Sequence, residues 1–356
     1  MLPLTELLGN PEPSRRVEAA EELAVLGPAA KDAVPSLVAV LDDPDANVRA
    51  AAAIALGCIG PDAKDAVDKL SGLLEDAAEL VRWAVLFALG RIGPAASSAV
   101  PSIIRRLRDE AKNLPGTATR VLGKIGPAAA AAVPALVEIL SDQSVSTVWS
   151  AAMALGKMGK AAVLPLIEGL KSSKANVRYA CAAALGNIGP AAEAAVPALI
   201  AALSDPEEER KYDVPGTAAR ALGQIGPAAA SALPALIEAL RKEQFRMLYE
   251  VAYAVKGIDP EHAILALIPL LAEETASFGA SNVLKEIGAA AVPELVAVLK
   301  SGSRLTRHHA SATIRTLGLI GPQAISAVPV LIRYLRDDDS FVRGEAANVL
   351  TAIQGR

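Results

Sequence analysis

The segment Ala-Leu-Gly-x-Ile-Gly-Pro-Ala-Ala recurs along the chain, and its recurrence constrains the fold more than any other feature. It reads ALGCIGPDA at 55–63, ALGRIGPAA at 88–96, VLGKIGPAA at 121–129, ALGKMGKAA at 154–162, ALGNIGPAA at 184–192, ALGQIGPAA at 221–229 and TLGLIGPQA at 316–324. The first four copies lie 33 residues apart, and looser copies stand at 25–28, 258–260 and 287–289. A fixed period of this length means that one small structural unit is stacked on itself, so the 356 residues are expected to form one elongated repeat domain rather than two or three ordinary ones.

Each unit reads as two helices. In 48–60 the apolar residues Val48, Ala52, Leu56 and Ile59 fall on one helical face. The glycine that follows can take the left-handed conformation that closes a helix, and the proline after it cannot continue one. A second helix then opens at Val-Pro or Leu-Pro, as in VPSLVAVL (34–41) and VPALVEIL (133–140), with proline in the first turn where its missing N–H is not needed. Its stripe is Val133, Leu136, Val137 and Leu140. Neither helix hides its apolar side alone, and alanine at the contact positions lets neighbours come close, so adjacent pairs must stack into a continuous core. The chain opens with a second helix that lacks its first (3–8) and closes with a first helix that lacks its second (340–353).

The pattern resembles HEAT repeats, specifically the bacterial HEAT-like class also found in phycobilisome lyases. The likeness rests on the D-x-x-x-x-VR opening at 43–49, the ALGxIGPAA hinge and the VPxLxxxL second helix, and it covers essentially the whole chain. It implies an all-α fold, a right-handed α-α superhelix of the HEAT/armadillo-like solenoid type, with about ten helix pairs of about 33 residues. Such folds serve mostly as scaffolds and interaction surfaces, so the resemblance is specific for fold and weak for function.

Composition narrows the function classes. With 35 basic and 39 acidic residues the formal charge is −4, so no global field draws a polyanion and nucleic acid is a disfavoured partner. Residues count as 52% hydrophobic, a figure inflated by alanine, and no uninterrupted apolar run reaches the roughly 18–20 residues that cross a bilayer, so no membrane partner is expected. The opening residues contain Glu6 and a Pro/Gly stretch in place of a secretory signal, which places the expected location in the cytoplasm. Cys58 and Cys181 sit in alanine-rich helices as small core residues, with neither a disulfide framework nor a metal knuckle.

A larger period is superimposed on the small one. Residues 81–149 and 177–249 match along their length: Trp83 corresponds to Tyr179, the Pro-Gly-Thr-Ala at 115–118 to that at 215–218, Arg120 to Arg220, and Trp149 to Tyr249. In both blocks an enlarged loop, 109–114 or 205–214, precedes a first helix that opens with proline in place of the usual arginine, and such loops are where repeat proteins vary their contacts. Of only eleven aromatic residues, Trp83, Phe87, Trp149, Tyr179, Tyr249 and Tyr253 all fall in the opening turns of first helices in or beside these blocks. One explanation is a pair of equivalent partner contacts with aromatic anchors; the commoner one is that aromatics fill gaps where the enlarged loop alters the stacking. Arg105 and Arg106, with Arg108 a turn along, form a local basic spot, as do Arg333 and Arg336; guanidinium forks suit carboxylates or phosphates, although surface solubility is the plainer use.

Catalytic chemistry finds little support. His308 and His309 are adjacent on a helix and do not share a face as metal ligands at i and i+4 would, so they read as a solvated helix start. HEAT-like iron hydroxylases carry His-Glu pairs, and no such dipeptide occurs here. Glu138, Glu168 and Glu238 repeat at one position of the second helix; a carboxylate ladder can serve as a general-acid pair or cation site, but a solvated ridge is the expectation. The expected function is therefore a non-catalytic protein–protein interaction scaffold that binds a protein or peptide through its concave and loop surfaces, the concave one lined by second helices with small apolar residues such as Ala39, Val40, Ile139, Ala201 and Ala297 and interspersed charges. No cofactor, metal or catalytic residue is assigned, and a monomer is expected. The candidate binding residues are Trp83, Arg105, Arg106, Arg120, Trp149, Tyr179, Arg220 and Tyr249. The alternatives are a phycobilin lyase or lyase subunit and a HEAT-like DNA glycosylase.

Overall fold

The computed structural model describes residues 2–109, 114–140, 145–206, 212–241, 248–301 and 306–354. Among these residues the structure is helical throughout and holds no strand. The helices alternate as expected: ten pairs of a longer first helix and a shorter second, preceded by Leu2–Leu7 and followed by Ser340–Gln354. Clustering of the backbone separates two compact units, Met1–Ile188 and Gly189–Arg356. In the first unit the first helices are Pro13–Leu26, Ala46–Ile59, Glu79–Ile92, Leu114–Ile125, Val145–Met158 and Ala175–Ile188. In the second they are Val214–Ile225, Leu248–Ile258, Ser277–Ile287, Arg307–Ile320 and Ser340–Gln354.

Consecutive first helices pack directly on one another within each unit. The leucine of each ALG segment is fully buried at Leu56, Leu89, Leu122, Leu155 and Leu185, and again at Leu222 and Leu317. Burying one such side chain stabilises the fold by about 1.5–3 kcal/mol. The glycine that follows it sets the spacing. A Cβ on Gly57 would lie 2.8 Å from Cα of Ala88, one on Gly123 3.1 Å from Cα of Ala154, and one on Gly223 2.7 Å from Cα of Ala254. The backbone of the next first helix therefore rests on the space that the glycine leaves.

The hinge after each first helix departs from the expected left-handed cap. The second glycine does have positive φ, for example 80° at Gly60 and 74° at Gly93, but ψ is −138° and −136°, outside the left-handed helical well and in a region open to glycine alone. Its N–H still closes a helical turn, onto the carbonyl of Leu56 or Leu89, and the chain then enters a 3-10 segment such as Gly60–Ala66. Where the eighth pair has no glycine, Asp259 adopts an extended backbone and its carboxylate caps the next helix by accepting from the His262 N–H. By length and composition alone six two-helix stretches, Glu79–Arg108 among them, are apolar enough to cross a membrane, which a count of uninterrupted apolar residues does not register. Each contains one of these positive-φ glycines and so breaks at its hinge.

An ion-pair ladder ties successive opening turns together. Arg49 donates from Nη1 to the carbonyls of Asp43 and Pro44 in its own turn, and from Nε and Nη2 to Asp76 in the next, at 2.9 and 3.0 Å. Arg16 makes the same four bonds to Asn10, Pro11 and Asp43, and Arg82 bonds the carbonyls of Asp76 and Ala77 and lies 3.5 Å from Asp109. Burial alone would raise the pKa of Asp43 and Asp76, but the hydrogen bonds from Arg16 and Arg49, the backbone N–H groups of Asp45 and Ala78, and the neighbouring arginine charges hold both below the usual carboxylate value.

Two stability measurements test this account. Gly57→Ala is expected to cost about 1–3 kcal/mol in denaturant unfolding because backbone must move, whereas Gly90→Ala, whose Cβ would meet the Val121 Cγ2 methyl at 3.0 Å, should cost less. Arg49→Ala is expected to cost about 2 kcal/mol or more, as charge-assisted bonds are lost and Asp76 is left half-paired. The lowered carboxylates contribute stability that is complete above the ordinary value of about 4 and is lost as pH falls towards the folded values. The melting temperature should therefore drop in acid below about pH 4, and drop less steeply in Arg49→Ala.

Candidate functional site

In these repeats the opening turn of the first helix carries one side chain directly after the ladder arginine and another four residues later, one turn along the same face. In the first unit the former positions include Ala50, Trp83, Gly116, Trp149 and Tyr179, and the latter Ile54, Phe87, Arg120 and Met153. Small residues pack the inner face so closely that large ones here must stand outward. Trp83 is 42% exposed and stacks on Phe87 of its own helix at 5.9 Å between ring centroids. Trp149 is 40% exposed and stacks at 5.7 Å on Tyr179 of the neighbouring first helix. In the second unit Tyr249 is 76% exposed, with Tyr253 and Phe278 also exposed on the same and the following first helix. Trp83, Trp149, Tyr249 and Tyr253 are thus exposed while Phe87 and Tyr179 are half-buried against them or their own helices, and Phe278 extends the series.

The arginines divide into paired and unpaired. Arg105 and Arg106 grip one carboxylate, Glu75, at 3.0 and 2.8 Å, and Arg106 also bonds Asp109 at 3.0 Å. The basic spot is therefore largely neutralised from within, and Arg108 pairs with Glu138. Arg220 bonds Glu250 on the next first helix at 3.1 Å. Arg120 bonds only the Thr117 hydroxyl, at 3.3 Å, and no carboxylate among the described residues pairs with it.

Arg120 and Trp83 meet at a cavity of about 750 Å³. Pro115 and Gly116 form part of its lining, with Thr119, and Ser150 of the following first helix completes it. Here proline replaces the ladder arginine, and the glycine after it is exposed, with no described residue within 4 Å of where its Cβ would stand. A second cavity of about 980 Å³, lined by Arg105, Pro134 and Glu138 among others, adjoins it and shares Leu107, Arg108 and Ile139. The inner residues of the two enlarged loops, 110–113 and 207–211, lie outside the described residues.

The remaining candidates carry structural duties. Glu138, Glu168 and Glu238 each have a cation of their own, Arg108, Lys171 and Arg241. His308 and His309 are half-buried rather than fully solvated; burial, then the neighbouring His308, lowers the pKa of His309. Their Nε2 atoms are shielded and find no partner among the described residues, because the helix packs as it starts. Burial pushes the Cys181 thiol up to about 12, in keeping with a core residue, while Cys58 is half-exposed. No cluster of three metal-ligating side chains occurs among the described residues.

Fold and surface together define an α-helical repeat protein with exposed aromatic side chains on first helices of each unit. The family model for HEAT repeats matches residues 1–90, 67–148, 100–170 and 133–214, and that for the PBS lyase HEAT-like repeat matches residues 214–242. The chain belongs to the HEAT-repeat family. No curated protein matches it in sequence. Among solved structures it is similar to importin beta in an ammonium sulfate condition, at 14% identity and a TM-score of 0.59, over 99% of this chain and 57% of that one. It is also similar to Kap121p bound to Nup53p, at 14% identity and a TM-score of 0.52, over 98% of this chain and 45% of that one. The chain thus spans about half the length of these two neighbours. The complex of CpcE and CpcF of phycocyanin lyase from Nostoc sp. PCC7120 is 23% identical over 65% of this chain and 91% of that chain, but its TM-score of 0.39 is too low to carry an argument.

Outward placement makes the tryptophans separable from the fold. Trp83→Ala and Trp149→Ala should each cost on the order of 1–3 kcal/mol, from the part-buried apolar surface together with a stacked aromatic pair, in denaturant unfolding with helical circular dichroism retained.

Proposed function

We propose that this chain is a non-catalytic scaffold that binds another protein through aromatic side chains exposed on its first helices. The observation that carries the reading is the set of aromatic side chains held in solvent at corresponding positions of several repeats, Trp83 and Trp149 in the first unit and Tyr249 and Phe278 in the second. Large aromatics with restricted rotamers lose little entropy on binding, which is why they dominate interface energetics. The helix pairs stack on close-packed alanine and glycine, so the face is pre-organised. A fold neighbour, Kap121p, was solved with Nup53p bound, which accords with a protein partner.

Bilin attachment is the second reading, and it rests on the match of residues 214–242 to the PBS lyase HEAT-like repeat. The scaffold reading is tested by cross-linking in a native lysate, comparing the wild-type chain with a variant carrying Trp83→Ala, Trp149→Ala, Tyr249→Ala and Phe278→Ala. One protein should cross-link to the wild type and be lost from the variant while helical content is unchanged. Undiminished cross-linking by the variant sinks the reading, as does transfer of a bilin to a phycobiliprotein subunit with the accompanying rise in visible absorbance.

A further inference from the structure

The two long blocks present the same Pro-Gly-Thr-Ala-x-Arg helix in two states. In the second block the site is closed from within. The Asp213 carboxylate accepts from the Gly216 N–H at 2.8 Å and occupies the space over that glycine, where a Cβ would lie 2.2 Å from its Oδ2. Arg220 bonds Glu250, thirty residues on. The same relation recurs one further time: Arg315 stands 4.0 Å from Glu345, again thirty residues on and again on the next first helix. An arginine at this position is thus met by a carboxylate from its neighbour.

In the first block the arginine is present and no carboxylate among the described residues meets it. Ser150 occupies the position thirty residues after Arg120, where Glu250 and Glu345 stand in the other two cases. The space over Gly116 is open, and the cavity of about 750 Å³ takes its place. Asp109, the acid in its lining, is already engaged by Arg82 and Arg106. Arg120 therefore presents a planar fork whose geometry matches a carboxylate, next to the half-exposed face of Trp83. The adjoining cavity lengthens the trough beyond what a single small acid fills.

We propose that this cavity binds an extended acidic segment of a partner protein, a carboxylate of which takes the place of the missing Glu at Arg120 while an adjacent apolar side chain lies against Trp83. The proposal rests on the scaffold reading above and assigns one site and one ligand chemistry to it. It concerns the first block alone, because the second has an internal carboxylate in the equivalent place.

The test uses a fluorescein-labelled octapeptide of alternating phenylalanine and glutamate, the same peptide with glutamine for glutamate, and sodium phenylacetate as a competitor, read by fluorescence anisotropy on the full chain. The glutamate peptide should bind the wild type, and the glutamine peptide on the order of tenfold more weakly, the loss expected of one charge-assisted contact. Arg120→Gln should weaken the glutamate peptide to a similar degree, and Arg220→Gln should not. Ser150→Glu is the decisive variant, since it rebuilds the pair found between Arg220 and Glu250, keeps the fold, and should close the site to the peptide. Equal binding of both peptides, or unchanged binding to Arg120→Gln or Ser150→Glu, overturns the proposal, and so does phenylacetate binding as tightly as the peptide. A chain that cross-links its partner as before but does not bind the glutamate peptide overturns this inference and leaves the scaffold reading standing.

Discussion

The close approach of consecutive first helices is the constraint on which the other features depend. Helices whose contact residues are alanine and glycine can settle backbone against side-chain stub, as Gly57 does on Ala88 and Gly223 on Ala254. Such packing gains dispersion contact over a long seam and leaves little freedom to slide, because a displaced helix would press a Cβ onto a backbone. It also dictates where bulk can go. Leucines fill the layer beneath, and anything larger in the opening turn is directed to solvent. The exposed tryptophans are thus a consequence of how tightly the helices are joined.

Electrostatics supplies the register between turns. The ladder arginines at 16, 49 and 82 each bridge two successive opening turns, and the acids held by Arg16 and Arg49, Asp43 and Asp76, are kept below the usual carboxylate value against the cost of burial. Most other surface arginines have an internal acid as well, so positive charge is largely accounted for within the chain. Two substitutions interrupt this economy of pairs: proline in place of a ladder arginine at 115, and serine in place of an acid at 150. Together they border a cavity and leave Arg120 without a carboxylate partner among the described residues, where Arg220 and Arg315 at the same repeat position have one.

Much of this was legible beforehand for a physical reason. Helix periodicity and the Gly-Pro hinge are local properties, and repeated ten times they leave one architecture available. The duplicated block was legible too, since the correspondence of Arg120 with Arg220 and Trp149 with Tyr249 needs only alignment of the chain with itself. The glutamates at 138, 168 and 238 are exposed as their surface spacing implies, but the cation beside each comes from the packing of the chain. The hinge glycine was misjudged in detail: positive φ follows from the residue, but ψ near −136° follows from the 3-10 turn that the next helix requires. A helix start implies solvated histidines at 308 and 309, and packing of that helix half-buries them.

Sequence by itself determined the two-helix unit, its number and its hinge, because those rest on the periodicity of apolar residues and on the backbone limits of glycine and proline. Tertiary structure decided which charges were paired and which side of a helix an aromatic faced. Those outcomes depend on residues 27 to 33 positions apart being brought side by side, as in the pairing of Arg49 with Asp76 and the stacking of Trp149 on Tyr179. The basic spot at Arg105 and Arg106 shows the difference: as a string of residues it reads as open positive charge, and only the neighbouring helix reveals Glu75 already between the two guanidinium groups.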